Sequence, residues 1–295
     1  MTQTCANNTS GTEIAALPRE PAGLRVAGHG GAVANVWDYG GEGPPLLLCH
    51  CTGTLGRVWD PVVARLRDRY RVLAPDTRGH GNSGKPMRRE AYAWIDSGRD
   101  LLAIIDALDL GTRVRAAGHS GGAAQIAYAE MLRPGVCPRV VLIDAIVGPP
   151  IFFKAPRPLA VQARRRRNVF QDRQAARERF AAKPPMASWC AEALDAYVTH
   201  GFEERDDGRV QLKCPPQIES WFYEHGGACD VFARLAEVDF EALLVTGSTS
   251  NVAHLVDMQL ARLPKAQKRV IEGAGHFMPQ ERPDAVADVL TDWLR

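Results

Sequence analysis

The chain is 295 residues long, with 45% hydrophobic and 24% charged residues, a balance typical of a globular protein. Its formal net charge is only +2, so bulk electrostatics gives no reason to expect a nucleic acid or an anionic membrane as a partner. No apolar run approaches the ~20 residues that a membrane-spanning helix needs. The polar residues 1–22 are predicted to form a loose N-terminal arm.

Seven cysteines are present, an odd number at irregular spacings, and no export signal opens the chain. We therefore expect reduced thiols and a cytoplasmic location. The run Cys49-His50-Cys51 is not expected to bind a metal, because adjacent residues of an extended chain point to opposite faces. In addition, no second cluster completes a set of four ligands. No metal and no cofactor are predicted.

Runs of apolar and β-branched residues predict the strands, and apolar residues at helical spacing predict the helices. A hairpin is expected over residues 24–39, and the apolar run 45–50 is typical of a strand buried on both faces of a parallel sheet. Further strands are predicted at residues 70–75, from Arg113 onward, and at 139–144, 242–246 and 268–271. Helices are predicted at residues 59–69, 92–110, 123–132, 255–263 and 283–295.

The alternation of strands and helices predicts an α/β fold with a mostly parallel sheet, and it is interrupted once. Residues 148–227 show no clear strand but have helix-like pieces at 175–183 and 191–200, so we interpret them as an inserted helical cap. The core is then formed by residues 23–147 and 228–295. The basic run 164–167 is interpreted as a solvated face of a cap helix.

The most informative stretch is the pattern G-x-S-x-G at Gly118-His119-Ser120-Gly121-Gly122. It lies between a predicted strand and a predicted helix, which is the context of a nucleophile elbow. Only small neighbours fit there, because the serine has strained dihedral angles and the flanking backbones approach closely. The turn also places the next backbone N–H, that of Gly121, at a helix N-terminus where it can stabilise an oxyanion.

Four segments, in this order, resemble the α/β-hydrolase fold superfamily over nearly the whole chain. Residues 50–53, His-Cys-Thr-Gly, end the third strand, where the superfamily usually has His-Gly. Residues 76–83 resemble its D-x-R-G-x-G-x-S loop, and residues 118–122 form the elbow. Residues 273–277, Gly-Ala-Gly-His-Phe, followed by Glu-Arg-Pro at 281–283, resemble the terminal segment that carries the catalytic histidine.

The resemblance implies a central sheet with helices on both faces and roles for several residues. Ser120 would be the nucleophile and His276 its base, because a serine hydroxyl needs an adjacent base at neutral pH. The backbone N–H groups of Gly121 and Cys51 would form the oxyanion hole. Cys51 replaces the usual glycine and is expected to pack. His50 is expected to hydrogen-bond its own loop.

The third catalytic residue is where the chain departs from the usual pattern of the superfamily. A carboxylate should orient the histidine and offset its charge. The superfamily usually places this acid after the seventh strand, but the corresponding residues 247–251 contain no carboxylate. A known variant places the acid after the sixth strand, where Asp144 lies. We favour Asp144 over two alternatives, Asp257 on a predicted helix or no acid at all.

The resemblance implies a serine hydrolase that acts on a small-molecule acyl substrate, namely a carboxylic ester, a lactone or a thioester. Trp59 and aromatic residues of the cap could wall the acyl pocket or simply pack in the core. Two alternatives stay open: a C–C bond hydrolase or haloperoxidase-like enzyme with the same residues, and a catalytically silent ligand-binding protein. The sequence also leaves a homodimer open.

Overall fold

The computed structural model describes residues 19–112, 114–153, 157–238 and 240–295. Arg113, where a predicted strand begins, and most of the predicted N-terminal arm lie outside the described residues. Within them, the first strand begins at Ala22. No helix in these ranges is long and apolar enough to cross a bilayer.

The described residues form eleven strands, and eight of them build one central sheet. The strands are β1 (Ala22–Ala27), β2 (Val33–Asp38), β3 (Pro45–Cys49), β4 (Arg71–Asp76), β5 (Arg115–His119), β6 (Arg139–Ile143), β7 (Val169–Phe170), β8 (Phe202–Glu204), β9 (Val210–Leu212), β10 (Glu241–Gly247) and β11 (Ala266–Ile271). The order in the central sheet is β1-β2-β4-β3-β5-β6-β10-β11. The first three in this order pair antiparallel, and the rest pair parallel.

Helices cover both faces of the sheet, which explains the unbroken apolar run of β3. Leu47 packs in the hydrophobic cluster on one face, whereas Leu46 and Leu48 pack in the cluster on the other. The α-helices are α1 (Asp60–Leu66), α2 (Trp94–Ala107), α3 (Gly121–Leu132), α4 (Pro158–Arg164), α5 (Arg173–Ala181), α6 (Ala191–His200), α7 (Pro216–Glu224), α8 (Cys229–Ala233), α9 (Ala253–Leu260), α10 (Met278–Glu281) and α11 (Pro283–Trp293).

Within the predicted cap, residues 148–227, the described residues form four α-helices, α4 to α7, and also a small antiparallel sheet in the order β7-β9-β8. The prediction that this segment has no strands was therefore wrong. Each of the three strands has only two or three residues, too few to show an alternating pattern. We keep residues 148–227 as the proposed extent of the cap.

The proposed cap contacts the core where α7 meets Trp94, the first residue of α2. The indole N–H of Trp94 donates a hydrogen bond to the backbone carbonyl of Phe222 at 3.1 Å, and the two rings meet edge to face. Both side chains are buried. The same helix α2 packs against α3, the helix that follows β5.

Candidate active site

The turn between β5 and α3 holds Ser120 in a strained backbone conformation, with φ 56° and ψ −111°. A non-glycine residue adopts a positive φ only when the surrounding structure enforces it. The flanking glycines are tightly packed: a Cβ on Gly122 would lie 2.2 Å from the carbonyl oxygen of Cys49, and one on Gly118 would lie 2.5 Å from that of Gly122. The small residues of the pattern are therefore required by close backbone contacts.

The structure brings Ser120, His276 and Asp144 together at the carboxyl ends of the parallel strands. His276 lies in the loop between β11 and α10, and its Nε2 is 3.1 Å from Oγ of Ser120. Its Nδ1 is 3.1 Å from Oδ2 of Asp144, which follows β6. Because a carboxylate only accepts hydrogen bonds, Nδ1 carries the proton and the lone pair of Nε2 faces the serine hydroxyl. This arrangement gives His276 the tautomer that a general base needs.

Two hydroxyl groups fix the Asp144 carboxylate against the histidine. Thr246 donates to Oδ1 and Ser250 donates to Oδ2, both at 2.6 Å, and Asp144 is fully buried. Ser250 belongs to the loop after β10, the position where the superfamily more often carries the acid. In this chain that loop supplies a hydroxyl donor to an acid that comes from the neighbouring strand.

The alternative acid, Asp257, lies elsewhere. It belongs to α9 and pairs with Lys268 at 2.5 Å, with 61% of its side chain exposed. Asp257 makes no recorded contact with His276. Of the two candidate carboxylates, Asp144 is the one that the structure places on the imidazole.

The two segments that carry the predicted oxyanion donors touch each other. The loop after β3 touches the elbow, since a Cβ on Gly122 would also lie 2.7 Å from the carbonyl oxygen of His50. Within the described part of the chain, the backbone N–H groups of Cys51 and Gly121 donate no recorded hydrogen bond. Gly121 is the first residue of α3, so its N–H points out of the helix N-terminus. These two N–H groups remain the candidate oxyanion donors.

His50 and Cys51 hold the loop rather than offer reactive groups. His50 donates from Nδ1 to the carbonyl of Cys51 at 2.8 Å and accepts at Nε2 from the backbone N–H of Thr77 at 2.9 Å. Burial lowers the pKa of His50, which keeps its imidazole neutral. Burial also raises the pKa of the Cys51 thiol to about 12, so the side chain is a packed thiol at neutral pH.

His119 makes a contact at the site that the sequence did not reveal. Its Nε2–H donates to the backbone carbonyl of His276 at 2.7 Å, and the two imidazole rings are 4.9 Å apart. Burial, together with the neighbouring His276, holds the pKa of His119 well below its ordinary value. The residue before Ser120 therefore tethers the backbone of the proposed base.

Aromatic residues reach the site differently from the prediction. Trp59 is fully buried in the core, so no surface of its side chain is left for a substrate. Among the cap aromatics, Trp189 packs at 5.6 Å on the ring of Phe277, the residue after His276.

The described residues contain no group of three or more His, Cys, Asp or Glu side chains that could hold a metal ion.

The mostly parallel sheet, with a serine at the turn after β5 and a histidine after the last strand, defines the class of α/β hydrolases. The model of the alpha/beta hydrolase family matches residues 46–289, so the chain belongs to this family.

Individual relatives share the fold over most of their length. The 2-(acetamidomethylene)succinate hydrolase of Mesorhizobium japonicum is 27% identical over 256 residues, which are 86% of this chain and 89% of that protein. A crystal structure of E-2-(acetamidomethylene)succinate hydrolase superposes with a TM-score of 0.79 at 24% identity, covering 93% of this chain and 99% of that chain. An esterase from Rhodococcus sp. ECU1013 gives a TM-score of 0.71 at 20% identity, with 92% and 98% covered.

Proposed function

We propose that the protein is a cofactor-independent serine hydrolase that cleaves a carboxylic ester, a lactone or a thioester through an acyl-enzyme on Ser120. The observation that carries the proposal is the continuous line of hydrogen bonds from Asp144 through His276 to Ser120, with both steps at 3.1 Å. The last residue of this hydrogen-bonded series is Ser120, which lies in the strained turn between β5 and α3.

In the first half-reaction, His276 accepts the hydroxyl proton of Ser120 at Nε2 while Oγ attacks the acyl carbonyl. The carbonyl oxygen becomes an oxyanion, which the N–H groups of Cys51 and Gly121 stabilise. The positive end of α3 adds to this stabilisation. Asp144 offsets the charge of the imidazolium. Collapse of the intermediate breaks the acyl bond, and His276 returns the proton to the leaving alcohol or thiol.

In the second half-reaction, water takes the place of the leaving group. His276 is 19% exposed, so a water molecule can reach Nε2 once the first product has left. Attack of this water on the acyl-enzyme, with the same base and the same oxyanion donors, releases the acid and restores Ser120. The substrate and one water molecule supply every atom that the two steps consume, so both steps balance.

A second candidate activity is the hydrolysis of an acylated nitrogen in an acidic substrate. Its support is the relative from Mesorhizobium japonicum, whose name describes a hydrolase of an acetamido compound. The same serine and base would act, but the leaving group would be an amine or enamine. Parallel assays of p-nitrophenyl esters, thioesters and N-acyl enamines, each with kcat/KM measured, separate this candidate from the first.

The proposed activity is tested with Ser120→Ala. We expect turnover of the best ester to fall by about 10⁵-fold or more, because only binding and the oxyanion donors would remain. The matched control is Thr199→Ala, which removes a hydroxyl from an exposed residue of α6 and should leave turnover unchanged. If Ser120→Ala folds and keeps its ester turnover, the proposed function is wrong.

A further inference from the structure

A buried ion pair in the cap lies directly against the loop that carries the proposed oxyanion donor. Arg166, just after α4, donates from Nη1 to Oε2 of Glu219 on α7 at 2.6 Å. The two side chains are 19% and 10% exposed. Arg166 also donates from Nη2 to the hydroxyl of Tyr197 on α6. The interpretation of residues 164–167 as one solvated face was therefore wrong for Arg166, which turns inward.

This cluster, formed by Arg166, Glu219 and Tyr197, contacts Gly53. A Cβ on Gly53 would lie 2.7 Å from Oε1 of Glu219, so the carboxylate rests on the Cα of this glycine. The hydroxyl of Tyr197 donates to the carbonyl of Gly53 at 3.4 Å. Gly53 has a φ of 85°, a conformation that glycine adopts without a side-chain clash. The cap cluster therefore fits this position closely.

The other side of the same loop is bound to the core. The N–H of Gly53 donates to Nε2 of His80 at 2.9 Å. The carbonyl of Cys51 accepts from Nδ1 of His50 and from the hydroxyl of Thr54, at 2.8 and 2.9 Å. Contacts with the core thus hold one side of this loop. The cap cluster contacts the other side at Gly53, two residues after Cys51, whose N–H is the proposed oxyanion donor.

Arg166 and Glu219 stabilise each other's charge in the interior of the cap. Burial acts to lower the pKa of Arg166, but the carboxylate of Glu219 raises it above its ordinary value. Removing one partner would leave the other as a buried charge without compensation, which is costly, whereas replacing both with apolar residues is often tolerated. A double replacement can therefore remove the cluster without forcing the cap to unfold.

We propose that Arg166 and Glu219 are positioning residues that couple the cap to the oxyanion hole. By holding Gly53, they hold the N–H of Cys51 at the distance that an oxyanion requires. The inference rests on the proposed function, because it assigns a task within the same reaction. Since an oxyanion forms only after attack, losing the cluster should lower kcat and leave KM nearly unchanged.

The size of the effect follows from what is lost. Complete removal of one oxyanion donor typically lowers kcat by about 10²- to 10³-fold. The cluster acts on the donor through two peptide units, so displacement should cost less than removal. We expect kcat to fall by about 10- to 100-fold.

The test is the double variant Arg166→Met/Glu219→Leu, measured for kcat and KM on the best ester substrate. Its affinity for a trifluoromethyl ketone is also measured, since this ketone becomes an oxyanion when Ser120 adds to it. We expect kcat and ketone affinity to fall together by about 10- to 100-fold while KM stays within about threefold.

A second ion pair on the same two helices serves as the matched control. Arg164 and Glu224 also join α4 to α7 at 2.6 Å, but they are 49% and 26% exposed and have no recorded contact with the loop. Arg164→Met/Glu224→Leu should retain kcat and ketone affinity. Equal losses in the two double variants would overturn the proposal, because the effect would then come from general loosening of the cap.

A milder variant keeps the test decisive if the double variant does not fold. Tyr197→Phe removes only the hydroxyl that links the cluster to Gly53, and we expect kcat to fall about threefold to tenfold with KM unchanged. If Arg166→Met/Glu219→Leu folds and keeps its kcat and ketone affinity, the coupling is refuted. If only Tyr197→Phe folds, unchanged kcat and ketone affinity in that variant refute it. If the unmodified protein itself turns over no ester and forms no ketone adduct, the proposed function fails first.

Discussion

Replacing Asp144 with asparagine tests the least expected feature of the site, an acid supplied by the sixth strand. The replacement keeps the volume, and asparagine tolerates the positive φ of 44° at this position better than most residues. Thr246 and Ser250 still find a polar partner. We therefore expect Asp144→Asn to fold, so that its kinetics report on catalysis.

The expected loss can be worked from the geometry. Oδ2 of Asp144 lies 3.1 Å from Nδ1 of His276, and the carboxylate is fully buried. At an effective dielectric constant of about 20, a carboxylate and an imidazolium about 3 to 4 Å apart attract each other by about 4 to 5 kcal/mol. At about 1.4 kcal/mol per decade, this attraction is worth about three to four decades in kcat. If the new amide N–H faces His276, the tautomer also becomes the wrong one.

The assay is kcat on an activated ester for Asp144→Asn and for Asp257→Asn, each with its thermal unfolding midpoint. Asp257 offers the same chemical change on an exposed carboxylate paired with Lys268. We expect a loss of about 10³- to 10⁴-fold for the first variant and none for the second. A loss below tenfold for a folded Asp144→Asn, or an equal loss for Asp257→Asn, would show that the charge reasoning is wrong.

Three further predictions concern His119, His80 and Cys51, which lie near the candidate site. His119→Leu should lower kcat about tenfold by freeing the carbonyl of His276, and His119→Gln, which can still donate, should recover part of it. Burial lowers the pKa of His80 to about 3, so between pH 6 and 4 the unfolded chain protonates this histidine and the folded chain does not. The free energy of unfolding therefore falls as the pH falls. In urea unfolding, His80→Asn should reduce this dependence on pH by about 1.4 kcal/mol per pH unit. The Cys51 thiol should resist iodoacetamide at pH 7, and Cys51→Gly should stay active; rapid alkylation seen by mass spectrometry would contradict its burial.

The sequence predicted the core well because its signals are local. The run 45–50 is apolar throughout, since alternate residues of β3 pack on opposite faces of the sheet. The elbow was readable because close backbone contacts exclude all but small residues at Gly118 and Gly122. Asp144 could be suggested because it directly follows β6, where a known variant of the family places the acid.

The parts that were missed depend on contacts between distant segments. The bond from His119 to the carbonyl of His276 joins residues 157 positions apart, and no pattern in either segment announces it. The inward turn of Arg166 depends on a partner 53 positions away, on α7. The strands β7 to β9 are too short to show a period of their own. In each case the tertiary structure overrides what the local sequence favours.

The central claim is that Ser120 is an activated nucleophile, and labelling with a fluorophosphonate tests it most directly. Such a probe forms a covalent adduct with a serine that a base and an oxyanion hole have activated. Mass spectrometry of the digested protein should find the adduct on the peptide that contains Ser120. The adduct should be absent from Ser120→Ala and slowed by about three decades or more in His276→Ala. An unlabelled Ser120 in the folded protein, or an equal labelling rate without His276, would contradict the account.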